Sequence, residues 1–252
     1  MQQTRNRAMT LALLFAVSCG LHALPAAAQW TGRGEAGIVI ASGNTDTKAG
    51  NAKLVLKYVD GPWSHAGTFN GVYAADEDGT TARRWEATEQ TEYRFNPRNY
   101  SFAGLRYESD QFSGFEHQGT LSAGFGHLFI ENESTTLTGQ IGVGYKFAEE
   151  RDVYDETTGL LIEAGESVNS FAGLGKVDFK HAFNASTTLL NKLTVEYTAD
   201  NTFIQNELAL QVKMSDRLAL AAGYAVRHNT EPPDGFDKTD TLTTMNIVYE
   251  VK

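Results

Sequence analysis

"QTEYRFNPRNYSFAGLRYESD", residues 90–110, decides the fold because polar and large apolar side chains alternate along both of its arms. On the first arm, Glu92 and Arg94 share one face and Tyr93 lies on the other, since successive side chains of a strand point to opposite faces. The Asn-Pro-Arg-Asn link at residues 96–99 is typical of a turn. The stretch therefore predicts a β-hairpin whose apolar face packs on a second sheet or contacts an apolar solvent.

The length of the alternating runs decides between these two environments. Runs with a period of two recur from Trp30 to the C-terminus and predict about twelve strands, many of ~10–13 residues, whereas strands of soluble proteins average ~5–6. A tilted strand of ~10 residues crosses the hydrocarbon of a bilayer, and a closed sheet has no edge that lipid would have to solvate. The sequence predicts an all-β fold, a closed antiparallel transmembrane β-barrel of about twelve strands whose apolar face contacts lipid.

The connections between the runs alternate in length and charge. Short links lie at 60–62, 96–99, 131–134, 184–186 and 215–216, and longer ones at 75–81, 112–116, 148–167 and 229–239. Short turns on one rim and long loops on the other are typical of outer-membrane barrels, whose short turns are periplasmic. The long loops are acidic, as in Asp76-Glu77-Asp78 and Glu149-Glu150. Because carboxylates bind divalent cations, lipopolysaccharide and such cations are candidate partners of these loops, beside outer-membrane lipid.

The N-terminus predicts export. Arg5 and Arg7 precede an apolar run that closes with Pro25-Ala26-Ala27-Ala28, which is the pattern of a secretory signal peptide spanning residues 1–28. The rest, residues 29–252, is predicted to be one barrel domain in the outer membrane of a Gram-negative bacterium. The signal contains the single cysteine, and its removal leaves 19 basic against 31 acidic side chains. So acidic a chain excludes nucleic acid as a natural partner.

Several motifs carry a resemblance to a known family. They are "GEAGIVIASGNTDTKAGN" at 34–51, "RYESDQFSGFEHQGTLSAGFGHLF" at 106–129 and "GVGYKF" at 142–147. The chain resembles the salt-induced outer-membrane proteins of Gram-negative bacteria, a domain-of-unknown-function family. The resemblance implies an outer-membrane barrel linked to salt or osmotic stress, without catalytic residues or a cofactor.

The polar faces of the predicted strands give a set of candidate lumen-lining residues in which the two signs of charge nearly balance. These are Lys53, Lys57, Glu86, Glu92, Arg94, Arg106, Glu108, Asp110, Lys146, Lys176, Asp178, Lys180, Lys192, Glu196, Glu207, Lys213, Arg227 and Glu250. A charged lining either selects solutes in a narrow pore or closes the lumen by mutual pairing. Both alternatives stay open, and the protein is expected to be a monomer.

An enzyme is the third alternative, because some membrane barrels hydrolyse lipids with a serine and a histidine on the outer wall. Ser122 and His127 are close in sequence. They have opposite parity on one strand, however, and therefore point to opposite faces. The sequence predicts a non-enzymatic protein with no catalytic residues, no metal site and no cofactor.

Overall fold

Twelve strands close into one antiparallel barrel in this computed structural model, which describes residues 29–42, 47–76, 79–110, 114–154, 158–233 and 236–251. The barrel strands are β1 (Gln29–Ser42), β2 (Thr47–Asp60), β3 (Trp63–Asp76), β4 (Gly79–Arg94), β5 (Asn99–Asp110), β6 (Phe115–Glu131), β7 (Thr135–Glu150), β10 (Ser167–Ala182), β11 (Thr187–Tyr197), β12 (Thr202–Lys213), β13 (Leu218–Asn229) and β14 (Thr239–Val251). Two short strands, β8 (Val153–Tyr154) and β9 (Leu161–Glu163), pair with each other in the longest loop. The predicted signal peptide, residues 1–28, lies outside the described residues.

Closure joins the first strand to the last. The order around the ring is β1-β14-β13-β12-β11-β10-β7-β6-β5-β4-β3-β2, and β1 pairs with β14 from Gly32 opposite Val251 to Ser42 opposite Thr241. Every barrel strand thus has two partners, so its backbone groups are paired without solvent. The predicted fold class, a closed antiparallel barrel of twelve strands, is confirmed. No helix within the described part of the chain is long and apolar enough to cross a membrane.

The connections at one rim are all short, and asparagine side chains close three of them. The opposite rim carries the long β7–β10 and β13–β14 loops, although its β11–β12 link, residues 198–201, is also short. In the hairpin between β4 and β5, Asn96 Oδ1 accepts hydrogen bonds from the backbone N–H groups of Arg98 at 2.9 Å and Asn99 at 2.8 Å. Asn132 and Asn184 accept the equivalent bonds in the β6–β7 and β10–β11 turns. An asparagine that bonds its own backbone two or three residues on makes a tight turn favourable. We call this end the short-turn rim and the other end the long-loop rim.

Apolar side chains lie on the outside of the barrel and charged side chains lie inside, which is the reverse of their distribution in a soluble protein. The outward faces of β7 and β10 present apolar side chains that are largely exposed, with Ile141 74%, Val143 71% and Phe171 84% accessible. Inside, Glu108 is completely buried and Asp110 is 3% accessible. An apolar outer wall around a charged interior is stable in water only if the wall is covered, and lipid is the medium that covers it in barrels of this kind.

Aromatic and histidine rings form a belt near the short-turn rim. Ring centroids lie 4.8–5.0 Å apart in two pairs between neighbouring strands, Trp30 with Tyr58 and Trp63 with Tyr93, and in two pairs within one stretch of chain, His127 with Phe129 and His181 with Phe183. Amphipathic rings at this level are typical of the boundary between hydrocarbon and head groups. The belt therefore indicates where one face of the bilayer would lie.

Tyr100 and Phe102 are apolar exceptions on the polar face of β5, and both point inward, where they are 3% and 5% accessible. The paired β4 and β5 keep a regular register here, so no bulge reverses the face. The ring of Tyr100 instead lies over Gly126 of the neighbouring β6, where any Cβ would overlap it. Tyr100 Oη also accepts a 3.0 Å hydrogen bond from Gln140 Nε2. The aromatic side chain fills interior space that glycine leaves open.

Candidate functional site

Seven charged side chains meet inside the barrel, in the half nearer the long-loop rim. We call this cluster the plug. Its members are Arg84 and Glu86 from β4, Arg106, Glu108 and Asp110 from β5, Glu196 from β11, and Arg227 from β13. Because successive inward positions of β5 are Arg106, Glu108 and Asp110, this one strand supplies a cation and two carboxylates at neighbouring heights.

The bond between Glu108 and Arg227 spans the full width of the lumen. β13 is the sixth strand from β5 in either direction around the ring, so the two strands are diametrically opposed. Arg227 Nη2 donates to Glu108 Oε1 at 3.0 Å and to Oε2 at 2.9 Å, and Arg227 Nη1 donates to Asp110 Oδ2 at 2.8 Å. Such charge-assisted bonds are the strongest that side chains make. Side chains from opposite walls are therefore in direct contact at this level of the lumen.

A second bridge crosses the lumen beside the first. Arg106 donates two parallel hydrogen bonds to Glu196, from Nε to Oε1 and from Nη2 to Oε2, each at 3.0 Å. Arg106 Nη1 also donates to Glu108 Oε2 at 2.9 Å, which joins the two bridges. The ring of Phe203 lies 5.1 Å from the guanidinium carbons of both Arg106 and Arg227. The planar groups stack on one aromatic side chain and hold each other in place.

Loops from opposite sides of the barrel meet above the plug. Gly114, in the β5–β6 loop, has a positive φ of 73°, and a Cβ at this position would lie 2.7 Å from the ring of Pro233 in the β13–β14 loop. The same atom would be 3.0 Å from Phe236. Only glycine allows both this conformation and this close approach. The contact joins the two loops at the long-loop rim.

Two adjacent cavities occupy the rest of the lumen, with volumes of about 370 Å³ and 260 Å³. Plug residues form one wall: Arg84 and Arg227 line the larger cavity, and Arg106 and Glu196 line the smaller. The larger cavity extends to Thr136, the second residue of β7, at the short-turn rim. The cavities are therefore lined by both polar and apolar residues, and plug residues form part of their walls.

The candidate lumen-lining residues fall into three groups in the structure. Glu86, Arg106, Glu108, Asp110, Glu196 and Arg227 belong to the plug. Lys53, Lys176, Asp178, Lys180, Lys192 and Glu207 line the cavities. Lys146 is buried next to the plug, within reach of the charges of Glu196 and Glu108, and its Nζ lies 5.4 Å from the ring of Phe115. The structure does not bring the others to these sites: Lys57, Glu92, Arg94 and Lys213 lie at the short-turn rim, and Glu250 pairs with Arg33 near the end of β14.

Sequence reasoning missed three charged residues of the interior. Arg84 lies 3.5 Å from Asp110 Oδ2, and Arg33 pairs with Glu35 at 2.8 Å. The alternation of side chains along the strands could have placed all three inside the barrel. Arg84 shares a face with Glu86, and Arg33 and Glu35 alternate with Gly34 and Ala36.

Ser122 and His127 are not brought together. The Ser122 hydroxyl donates to the backbone carbonyl of Gly104 at 3.4 Å, whereas His127 Nδ1 is 2.7 Å from Asn99 Oδ1 on the outward face. His65, His181 and His228 each bond a threonine of the neighbouring strand in the same way. These side chains link adjacent strands, and these contacts do not form a nucleophile and base pair.

Among the described residues, the outer wall near the long-loop rim carries one group that could bind a metal. Ligand atoms of Glu116, His117 and Glu149 lie within 4.8 Å of one another, and His117 Nε2 is 3.4 Å from Glu149 Oε2. The acids of residues 77–78 and 155–157 lie outside the described residues. Oxygen and imidazole ligands of this kind suit divalent cations.

The chain is similar to known barrel proteins. It is 23% identical over 232 residues to the uncharacterized protein YdiY of Escherichia coli K12, covering 90% of this chain and 86% of that protein. Its structure is similar to the NanC porin, with a TM-score of 0.52 at 11% identity, over 88% of this chain and all of that one. It is also similar to the translocator domain of the autotransporter NalP from Neisseria meningitidis, with a TM-score of 0.54 at 12% identity, over 98% and 96% of the two chains.

At such identities the structural likeness shows the fold alone, and these neighbours are outer-membrane barrels. The sequence itself carries the more specific information. Residues 34–251, nearly all of the predicted mature chain, match a family described as "Protein of unknown function, DUF481", and the protein belongs to that family.

Proposed function

We propose that this protein is a non-enzymatic barrel of the Gram-negative outer membrane whose lumen is closed in its resting state. The outward apolar wall and the belt of rings support the membrane location. The observation that carries the closed state is the pair of ion bridges, Glu108 with Arg227 and Arg106 with Glu196, between distant strands. In the mature monomer the short turns would face the periplasm and the acidic loops the exterior.

The closure is rigid because each plug arginine has more than one partner. Arg227 contacts Glu108, Asp110 and Gln205, and the Glu108 carboxylate also accepts a 2.6 Å bond from Gln118 Nε2. A hydrated ion that crossed this level would have to displace several buried charge-assisted bonds at once. Each such bond is worth ~1.5–3 kcal/mol. Spontaneous passage is therefore slow compared with passage through an open porin.

Single-channel recording of the refolded chain in a planar bilayer tests the closed state. We expect the wild type to show no discrete current steps, and we expect steps when the plug is removed by the charge-balanced set Arg106→Ser, Glu108→Ser, Glu196→Ser and Arg227→Ser. The matched control, Lys57→Ser with Glu92→Ser, removes one charge of each sign at the rim and should stay silent. Heat-modifiable migration establishes that each barrel is folded. Wild-type steps as large as those of the plug variant would show that the plug does not close the lumen.

A narrow passive pore for ions or small solutes is the second candidate, because the two cavities already provide internal space next to the plug. In that case the plug is a gate and wild-type current appears as rare, brief steps. The resemblance to salt-induced proteins would then place this gate in salt or osmotic adaptation.

The proposal extends to the partners of the acidic loops. Divalent cations held there, for which the Glu116, His117 and Glu149 ligand atoms within 4.8 Å are one arrangement, would bridge the barrel to anionic lipopolysaccharide. We expect lipopolysaccharide to co-migrate with the folded barrel in millimolar Ca²⁺ and to dissociate in EDTA. Equal binding under both conditions would contradict a role for cations.

A further inference from the structure

Inside the barrel, the arginines have carboxylate partners and the cavity-lining lysines do not. Arg33, Arg84, Arg106 and Arg227 each have a carboxylate within the 4.0 Å limit of an ion pair. Among the described residues, no carboxylate lies within that distance of the cavity-lining lysines, which are Lys53, Lys176, Lys180 and Lys192. These lysines are thus without an ion pair, although Lys176 Nζ donates a 3.2 Å hydrogen bond to Gln90 Oε1.

The reason is the distribution of the carboxylates. The arginines engage the acids at the plug and along β1, and the planar guanidinium binds such groups through two parallel bonds where lysine offers one point charge. Asp178 and Glu207 are the two inward carboxylates of the cavity walls without an ion pair in the described part of the chain. Of the nine charged residues that line the larger cavity, six are cations and three are carboxylates, so the larger cavity carries an excess of positive charge.

Polar atoms without hydrogen-bond partners line the larger cavity. Asn51 Oδ1 and Asn246 Oδ1 are buried acceptors that receive no hydrogen bond from the described residues, and Asn246 is 7% accessible. A buried polar atom left unpaired costs ~1–3 kcal/mol, so each indicates that a water or a ligand belongs beside it. The volume of about 370 Å³ is within the range of small-molecule sites, which is ~300–1,000 Å³.

The sign of this charge is opposite to that of the whole protein, which has a net charge of −10. A positive cavity inside an acidic protein is not apparent from the composition, and it favours anions over the cations that the outer loops would attract. We propose that the larger cavity binds a small hydrophilic anion of the phosphate or carboxylate class, which enters from the short-turn rim and is held by Lys53, Lys180 and Lys192. This inference rests on the proposed function, since the plug forms the inner wall of the cavity.

Calorimetric titration of the refolded chain with inorganic phosphate and with succinate, at low ionic strength, tests the site. We expect saturable binding of at least one probe, weakened about tenfold or more when Lys53→Gln and Lys192→Gln are combined, since a bond to a charged group contributes ~1.5–3 kcal/mol. The control pair Lys57→Gln and Lys213→Gln removes two exposed lysines at the rim and should bind like the wild type. Lys192→Arg keeps the charge and should retain binding if the glutamine variants fold poorly.

Absence of saturable binding to both probes, or equal weakening in the control pair, would overturn the inference. Its failure is distinguishable from failure of the closed-lumen proposal. A barrel that is electrically silent and binds neither probe contradicts only the anion site. A barrel that binds anions and also conducts contradicts only the closure.

Discussion

Replacing Arg227 by alanine is expected to lower the free energy of unfolding by about 3–5 kcal/mol, because breaking a buried ion pair leaves uncompensated charge in the interior. Glu108 is completely buried and Asp110 is 3% accessible, so neither carboxylate gains access to water when the guanidinium is lost. Urea titration in lipid vesicles, followed by heat-modifiable migration, measures the change.

Arg94→Ala is the matched control. Arg94 also lies on the inward face of its strand, but it is exposed at the short-turn rim. There its guanidinium donates a hydrogen bond to the carbonyl of Pro97 and lies 5.7 Å from the ring of Tyr100. Its loss should change stability by roughly 0.5 kcal/mol or less, as expected of a surface substitution. Combining Arg227→Ala with Glu108→Ala gives a double-mutant cycle, and a coupling energy near zero would show that the two side chains do not interact in the membrane.

Introducing arginine at Val143 is expected to destabilise the barrel by about 2–4 kcal/mol, the cost of a cation on the lipid face near the bilayer midplane. Val143 is the ninth of the 16 residues of β7 and is 71% accessible on the outer wall. Its neighbours in the paired strands are Ala123 and Gly173, which offer the cation no polar partner. The same equilibrium titration reports the effect.

Leu137→Arg provides the depth control, because Leu137 lies on the same face of the same strand, near its short-turn end. Close to the head groups the cost falls to ~0–1 kcal/mol. Similar losses at Leu137 and Val143 would mean that β7 does not cross a membrane in the assumed direction. No loss at either position would mean that the outer wall is not in contact with lipid.

The period of two made most of the fold predictable. Each strand side chain has only two possible directions, so a run such as residues 135–147 specifies its own inner and outer faces. The alternation of short and long links then indicated which strand ends share a rim. Tyr100 and Phe102 show the limit of this reasoning. Their inward direction is explained by glycines on other strands, Gly126 beside Tyr100 and Gly142 beside Phe102, rather than by their own polarity.

The plug was predictable only as a set of inward charges. Which of them meet depends on the number of strands and on the stagger of the closed sheet, and these are not encoded by any local pattern. Glu108 and Arg227 are 119 positions apart, and nothing in either neighbourhood identifies the other. The sequence likewise does not show that the interior arginines form ion pairs and the cavity-lining lysines do not, because both residue types are simply cations in the sequence.

The wide separation of the plug partners also has a consequence for the order of assembly. Strands β5 and β13 can approach each other across the interior only when the sheet curls and β1 meets β14. The bridges between them therefore form late and do not help to nucleate the barrel. Interactions that are absent from the transition state slow unfolding without accelerating folding. The plug therefore prolongs the lifetime of a barrel that has already closed.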